Sequence, residues 1–405
     1  MRSILITSFS LKIVVLFSIF FLKNGEISGY HGSEVTKDDV RYEEAALFYS
    51  QNATSVIDTE VFTIAYEQYG DRTGHSSQIS VWHWLVCLTT YFFNYSIFLR
   101  IFNVGFSVLT AYYLYRLAFI IFGKKTAKYA LIFYSFNPYF IVFSLYLYKD
   151  QFVALLLTQI FYFLLKYLKE GRVKNLGYLI VLLAIFSGLR SGFVLVVMVA
   201  IIVLLYFGES SSRSQFSNTV RQIETKWAFL FLTILAVPIY FGTSYFIDNF
   251  WLGQRKFEVY VTGRGQSNTS TISNFQIAKL TDFYRIPFAF IFGLLQPINL
   301  TASVNSVGGF VGSINLFGIF LASGNVLAFS DRRIRSIGFT WVINSLFLIT
   351  LISSLGISRH YYFMLPFYVM FLAAFIVRKG NLERLIKASL ALGLLIIGYY
   401  LLKFS

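Results

Sequence analysis

The stretch ILITSFSLKIVVLFSIFFL, residues 4–22, is predominantly apolar and contains one charged residue, Lys12. A helix of about 20 apolar residues is long enough to cross a hydrocarbon core of roughly 30 Å. The run follows Arg2, as the apolar part of a signal peptide would, but it is long and lacks an obvious small-x-small cleavage site. We therefore expect it to be retained as a first membrane span.

Similar apolar runs recur along the chain and set its class. The chain has 405 residues, of which 57% are hydrophobic and 13% charged, whereas soluble globular proteins usually carry about 25% charged residues. The predicted spans after the first are 101–122, 129–147, 152–168, 177–188, 192–207, 227–247, 306–329, 337–355, 361–377 and 388–402. The predicted fold class is an all-α polytopic membrane protein of about 11 transmembrane helices, with residues 1–405 forming a single membrane-embedded domain.

The positive charges lie between these runs and orient the chain. The formal net charge is +15, and the basic clusters are at 123–128, 169–175, 209–226, 331–336 and 378–387. With the N-terminus inside, all five clusters face the cytoplasm, in agreement with the positive-inside rule. The cations do not form one basic face with interleaved aromatics, so no nucleic-acid partner is expected. The single cysteine excludes an internal disulfide, and no Cys/His cluster suggests a zinc site.

Two long segments fall on the outer side in this topology. The first, 23–100, contains a short apolar stretch with two tryptophans at 79–95, which we interpret as a helix at the membrane interface. If 79–95 crossed the membrane, the basic cluster at 123–128 would face outward. The second outer segment, 248–305, contains the short proline-bearing stretch 286–300, which we interpret as re-entrant or interfacial.

The first outer segment holds an unusual group of acids in the stretch TKDDVRYEEAALFY, residues 36–49. It carries four of the chain's 19 acidic residues: Asp38, Asp39, Glu43 and Glu44. One interpretation is structural, because Thr36 and Asp39 have nearly the spacing of a capping box and acids are favoured in a helix's first turn. The other is chemical, because a carboxylate within hydrogen-bond reach of a hydroxyl can act as a general base.

The isolated charges of the later loops are predicted to reach the same outer face. They are Lys149, Asp150, Arg190, Arg255, Lys256, Arg264, Arg359 and His360. Each has a structural interpretation as an ion pair at a helix start, a snorkelling or interfacial anchor, or a solvated loop cation. The functional interpretation is a cationic site for a phosphate, which a guanidinium binds bidentately. Cytosolic nucleotides do not reach this face, so an energised substrate would arrive in the membrane on a lipid phosphate.

The acidic stretch carries a family resemblance. DDVRYEEA, residues 38–45, resembles the D-E-x-R-Y-x-E-x-A signature of the GT-C membrane glycosyltransferases, closest to their protein-mannosyltransferase and lipid A aminoarabinose-transferase branch. FLRIFN at 98–103, and then Asn137-Pro138 and Lys149-Asp150, look like the stretch that follows in that family. RHYYFMLP at 359–366 is similar to its late R-[YF]-x-x-x-x-P segment. The chain departs from the signature in having Asp39 in place of Glu.

The resemblance implies a GT-C-like fold with extracytoplasmic juxtamembrane helices, in the cytoplasmic (plasma or inner) membrane with the active site on the extracytoplasmic side. It implies a polyprenyl-phosphate-linked sugar donor and an acceptor glycan, lipid or protein. Because of the departure, the catalytic carboxylate is either Asp38 or Asp39. Some relatives use a divalent cation, Mg or Mn, and Asp38 and Asp39 are the residues that would hold it here. The predicted substrate- and phosphate-binding residues are Arg41, Tyr42, Lys149, Asp150, Arg190, Arg264, Arg359 and His360.

Two other functions stay open at this point. A polymerase or ligase of polyprenyl-diphosphate-linked saccharides, similar to the O-antigen or exopolysaccharide polymerases, would use the outer cations and leave the acidic stretch as a helix cap. A flippase or transporter would require charges deep in the bilayer and paired halves. The chain shows no internal repeat, and Lys12 and Arg116 are its main intramembrane charges.

Overall fold

The computed structural model describes residues 1–22, 37–69, 81–93, 97–207, 308–335, 362–378 and 381–404, with helical residues also at 339–340, 342–344 and 346–347. All regular structure in these ranges is helical, as predicted. The helices before residue 208 are α1 (Arg2–Leu22), α2 (Lys37–Asn52), α3 (Thr59–Tyr69), α4 (Val81–Phe93), α5 (Ile97–Phe122), α6 (Lys124–Phe136), α7 (Pro138–Phe143), α8 (Asp150–Glu170), α9 (Val173–Ser187) and α10 (Ser191–Phe207). Those after it are α11 (Gly308–Ser330), α12 (Arg332–Arg335), α13 (Leu365–Ile376) and α14 (Asn381–Phe404).

Several of these helices are apolar, as expected for a membrane protein. Within the described ranges, three are long and apolar enough to cross a bilayer: Arg2–Phe21 of α1, α5 and α8. The predicted spans 177–188, 192–207, 306–329, 361–377 and 388–402 also coincide with helices. Of the other predicted spans, 227–247 lies outside the described residues and 337–355 lies only partly inside them.

The predicted span at 129–147 is not one continuous helix. The helix α6 ends at Phe136, and the Asn137 side chain accepts a hydrogen bond from the Tyr139 backbone N–H (2.8 Å) to start α7. Pro138 has no N–H to donate and disfavours a helical conformation at the residue before it, so α6 cannot continue through it. After α7, residues 144–149 are not helical.

The long helix α5 is central to the packing, because it contacts α1, α4, α6, α8 and α13. Its buried face is unusually polar for a membrane helix and includes Arg100, Asn103 and Ser107. The intramembrane charge of α1 is accommodated on this face, since the fully buried Lys12 ammonium donates a hydrogen bond to the Ser107 hydroxyl. A buried charge requires such hydrogen-bonding partners, and the contact fixes the rotation of α1 on α5.

Two short juxtamembrane helices sit beside this bundle in the predicted first outer segment. One is α4, the helix expected near 79–95, whose 13 described residues extend over about 20 Å. The other is α2, which packs on α4 and α3. The apolar face of α2 is formed at i, i+3, i+4 and i+7 by Tyr42, Ala45, Ala46 and Tyr49, all of them buried.

Candidate active site

The acidic stretch of the sequence forms α2, and both candidate catalytic carboxylates lie in its first turn. Asp38 and Asp39 are the second and third residues of this helix, where the helix dipole favours a negative charge. Thr36, the expected capping residue, lies outside the described residues, as do the side-chain positions of Asp38 and Asp39. A catalytic role for either carboxylate therefore stays a prediction.

Tyr42, a predicted substrate-binding residue, is buried between α2 and α4. Its ring meets the His83 ring edge-on, with 5.3 Å between centroids. His83 also contacts Tyr66 of α3 edge-on at 4.5 Å. These contacts join the three juxtamembrane helices and give Tyr42 a packing role, while its contact with a substrate stays a prediction. Arg41, beside it on α2, is half-buried.

An ion pair connects α2 to the membrane bundle. The Arg100 guanidinium near the start of α5 is fully buried and lies 3.1 Å from the Glu43 carboxylate. Arg100 also donates a hydrogen bond to the Leu145 carbonyl oxygen at 3.0 Å. Sequence reasoning quoted Arg100 within the family-like stretch 98–103 but gave it no role. The signal that could have identified it is a charged residue inside an apolar run, which is costly unless it is paired.

In the non-helical segment 144–149, residues 144–148 are buried, and their carbonyls are held by side chains from α4 and α5. The Asn103 amide donates to the carbonyls of Tyr146 and Tyr148, and the Trp82 indole N–H donates to the Leu147 carbonyl at 3.0 Å. Arg100, which donates to the Leu145 carbonyl, completes the set: three side chains satisfy the four carbonyls of residues 145–148, which are not in a helix. Buried carbonyls require such partners, so these contacts fix the path of the chain into the start of α8.

The predicted residues Asp150 and Arg190 are brought together by this path. Asp150 opens α8, is fully buried and forms an ion pair with Arg190, the residue before α10. The guanidinium of Arg190 also lies over the Phe363 ring, 5.3 Å from its centroid. The adjacent predicted residue, Lys149, is half-buried. The dipole of α8 favours the Asp150 carboxylate and Arg190 neutralises it, so this buried charge is compensated twice.

The turn that carries Arg190 also contacts α4, since the Val81 backbone N–H donates to the Gly188 carbonyl at 3.1 Å. The expected break in the apolar run at 188–192 is confirmed, because α9 ends at Ser187 and α10 begins at Ser191. The helix α4 and the turn that carries Arg190 are therefore joined by a backbone hydrogen bond.

The late segment of the chain also contacts the first turn of α8, through Tyr362. The Tyr362 hydroxyl donates to the Gln151 side-chain oxygen at 2.6 Å, and the Gln151 amide donates to the Tyr134 hydroxyl at 3.1 Å. Phe143 of α7 stacks on the Tyr362 ring at 4.6 Å. Sequence reasoning missed Gln151, which no motif marks. The predicted Arg359, His360 and Arg264 lie outside the described residues, but Tyr362 follows His360 by only two positions.

A metal site is not formed by the part of the chain that the structure describes. No group of three or more His, Cys, Asp and Glu side chains there could hold a metal ion. The side chains of Asp38 and Asp39, the predicted pair for Mg or Mn, lie outside the described part of the structure. The chemistry visible in the cluster is instead that of ion-paired guanidinium groups and buried tyrosine hydroxyls.

Comparison with known proteins supports the family assignment over part of the chain. Residues 80–241 match the family described as dolichyl-phosphate-mannose-protein mannosyltransferase, a family of glycosyltransferases in the GT-C superfamily. The match includes α4, Arg100, the 144–149 segment, Asp150 and Arg190. A search of curated proteins gives no match. The predicted resemblance to the GT-C membrane glycosyltransferases is thus confirmed for residues 80–241, which carry the pattern of one family of that superfamily.

Proposed function

We propose that this protein transfers a sugar from a polyprenyl-phosphate-linked donor to an acceptor glycan, lipid or protein at the extracytoplasmic face of the cytoplasmic membrane. The observation that carries the proposal is the buried Asp150–Arg190 ion pair, which lies inside the segment that matches the glycosyltransferase family. The second support is the Glu43–Arg100 pair, which attaches the acidic helix α2 to the bundle end where α5 and α8 begin.

Arg190 is the residue we assign to the donor phosphate. One arm of its guanidinium is held by Asp150, and within the described structure its buried Nε atom has no hydrogen-bond partner. A guanidinium carries five N–H donors in a rigid fork, so Arg190 keeps donors for an anion after pairing with Asp150. Asp150 is then a positioning residue that aims this fork.

The leaving group of the reaction is a lipid phosphate, whose oxygen gains negative charge as the bond to the sugar breaks. Donors fixed before the reaction stabilise such charge most effectively, because they need no reorganisation when it develops. We assign this role to Arg190, together with Lys149, which precedes Asp150 in the chain, and Arg359 in the late segment. His360 and Arg264 are proposed as further contacts to the phosphate or the sugar.

The acceptor is activated by a carboxylate in the first turn of α2. In this step Asp38 or Asp39 takes the proton from the acceptor hydroxyl. The acceptor oxygen then forms its bond to the anomeric carbon, and the bond from that carbon to the phosphate oxygen breaks. Arg41 is proposed to orient the carboxylate or contact phosphate, and Tyr42 to line this side of the site. If a divalent cation takes part, Asp38 and Asp39 would hold it and it would neutralise phosphate charge.

The test is sugar transfer in purified membranes by three variants, Asp38→Asn, Asp39→Asn and Glu60→Gln. We expect one of the two aspartate variants to lose at least about a hundredfold in transfer rate, which is the usual size of a general-base contribution. Glu60 is an exposed carboxylate on the neighbouring helix α3, outside the acidic stretch, and serves as the control, whose substitution leaves the rate unchanged. Transfer at the wild-type rate by both aspartate variants would refute the assignment. A ladder of repeat units as product would favour a polymerase instead.

A further inference from the structure

Two cations converge on one tyrosine at the end of the bundle opposite the candidate active site. The Arg116 guanidinium of α5 lies 5.9 Å from the centroid of the Tyr162 ring of α8, and the Lys166 ammonium lies 5.8 Å from the same centroid. Arg116 also donates a hydrogen bond to the Tyr162 hydroxyl at 3.3 Å. Because α5 and α8 both begin at the candidate active site, their last turns lie at the other membrane face.

This pair of cations has no carboxylate to neutralise it within the part of the chain that the structure describes. The nearest acid in sequence is Glu170, one helical turn beyond Lys166, and its ion-pair partner is Arg172 at 3.6 Å. The rings around Arg116 on α5 are those of tyrosines, which carry no charge at neutral pH. Two like charges on one ring repel each other unless an anion joins them, so the arrangement favours an anionic ligand.

The positions of Arg116 and Lys166 near the ends of their helices indicate where such a ligand would lie. Arg116 is six residues from the end of α5, about 9 Å along the axis, and Lys166 is four residues from the end of α8, about 6 Å. Arg116 is exposed on the outside of the bundle and Lys166 is half-buried, whereas Tyr162 is buried. Side chains at this depth and on this face meet lipid headgroups, and long cations there extend toward the phosphate layer.

The chemistry of the three groups fits a phosphate ester. Arg116 offers a planar fork of N–H donors, Lys166 offers a mobile ammonium, and the Tyr162 hydroxyl keeps its own proton to donate after accepting from Arg116. Further exposed cations at the same end, among them Lys128 and Lys174, raise the local concentration of anionic lipid without contacting Tyr162. We propose that Arg116, Tyr162 and Lys166 form a binding site for the phosphate of an anionic glycerophospholipid.

The test uses the full-length protein in detergent, with phosphatidylglycerol or phosphatidylcholine added and thermal unfolding measured. Phosphatidylglycerol should raise the Tm of the wild type and phosphatidylcholine should not. In the double variant Arg116→Gln/Lys166→Gln the apparent affinity for phosphatidylglycerol should fall about tenfold or more. The matched control is Lys128→Gln/Lys174→Gln, which removes the same charge at the same membrane end and should keep the wild-type response.

Three results would overturn the proposal. One is a wild-type response in the double variant, and another is an equal loss in the control, which would mean that only diffuse charge attracts the lipid. The third is a stronger response to a polyprenyl monophosphate through the same two residues, which would make the carrier lipid the occupant. If the double variant does not fold, Lys166→Gln alone decides between these results, because the half-buried Lys166 can be changed without removing the Arg116–Tyr162 hydrogen bond.

Discussion

The carboxylate of Asp150 and the guanidinium of Arg190 form an ion pair across 40 positions of the sequence, in a place where the carboxylate has no contact with solvent. The two residues open different helices, α8 and α10, and α9 returns the chain between them. Around the pair lie the Phe363 ring and the 144–149 segment, which is fixed by Arg100, Asn103 and Trp82. At this pair, Phe363 of the late segment therefore contacts helices of the segment 80–241 that matches the family.

Asp150 is fully buried whereas Arg190 is partly exposed, so substituting the two residues should change stability by different amounts. Arg190→Gln removes the Arg190 cation from beside a fully buried carboxylate, and we expect a cost of up to roughly 3–5 kcal/mol, the range for a broken buried pair. Asp150→Asn leaves Arg190, which is partly exposed, and should cost less stability. Both variants should lose sugar transfer, because Arg190 loses either its charge or its orientation.

Thermal unfolding of the purified variants, with a transfer assay beside it, measures both effects. The control is Arg172→Gln, which breaks the mostly exposed pair with Glu170 and should change the Tm little. The double variant Asp150→Asn/Arg190→Gln should recover part of the stability that Arg190→Gln loses. An Arg190→Gln variant as stable as Arg172→Gln would contradict the account of a buried pair.

The ion pair between Glu43 and Arg100 should govern the attachment of α2. Arg100→Met removes both the partner of Glu43 and the donor to the Leu145 carbonyl, so α2 should detach more often and become sensitive to protease. Glu43→Gln keeps an acceptor for Arg100 and should have a weaker effect. The measurement is limited proteolysis in the turn 53–58 of detergent-solubilised protein. Equal cleavage of the wild type and Arg100→Met would show that other contacts hold α2.

The indole N–H of Trp82 provides a narrower test of the 144–149 segment. Trp82→Phe keeps an aromatic ring but removes the indole donor to the Leu147 carbonyl, and the loss of such a hydrogen bond costs about 0.5–1.5 kcal/mol. We expect a lower Tm and slower sugar transfer, since the segment leads directly into Asp150. The control is Trp84→Phe, whose ring stacks on Phe62 with 3.8 Å between centroids and can be replaced by another ring. If the two variants behaved alike, ring size and not the hydrogen bond would explain the loss.

The turn between α2 and α3 should open in acid. The Asp58 carboxylate accepts hydrogen bonds from the Val61 and Thr54 backbone N–H groups, both at 3.1 Å, and these bonds lower the pKa of Asp58 below its ordinary value of 3.8. A lowered pKa in the folded state means that Asp58 stabilises the turn above its unfolded pKa. That stability is lost as pH falls through the folded pKa.

Hydrogen exchange at Val61, corrected for the intrinsic effect of pH, should therefore accelerate below about pH 4 in the wild type. Asp58→Asn keeps an oxygen acceptor but does not titrate, so its corrected exchange should not depend on pH in this range. A pH dependence that survives in Asp58→Asn would assign the acid sensitivity to another group.

Much of the architecture follows from local features of the sequence. The apolar runs predict where α1, α5, α8 and α10 lie, and the glycines and polar residues at 188–192 predict the break before α10. At 129–147 the apolar run predicts one span, and the Asn137-Pro138 break divides its helical part into α6 and α7. Hydrophobic periodicity and the steric limits of proline act within a few residues, so they can be read without the fold.

The pairing inside the candidate site could not be predicted in this way. The sequence identified Asp150 and Arg190 as charges on one membrane face but left open what each contacts, and it gave Gln151 and Arg100 no role. Their partners lie 17 to 211 positions away, for example Tyr134 and Tyr362 for Gln151 and Glu43 for Arg100. The sequence by itself determined that the chain is a helical membrane protein with isolated polar groups at one face. Only the tertiary structure decided which of them meet, because a buried charge or carbonyl is stabilised by whichever group the helix packing brings within hydrogen-bond distance.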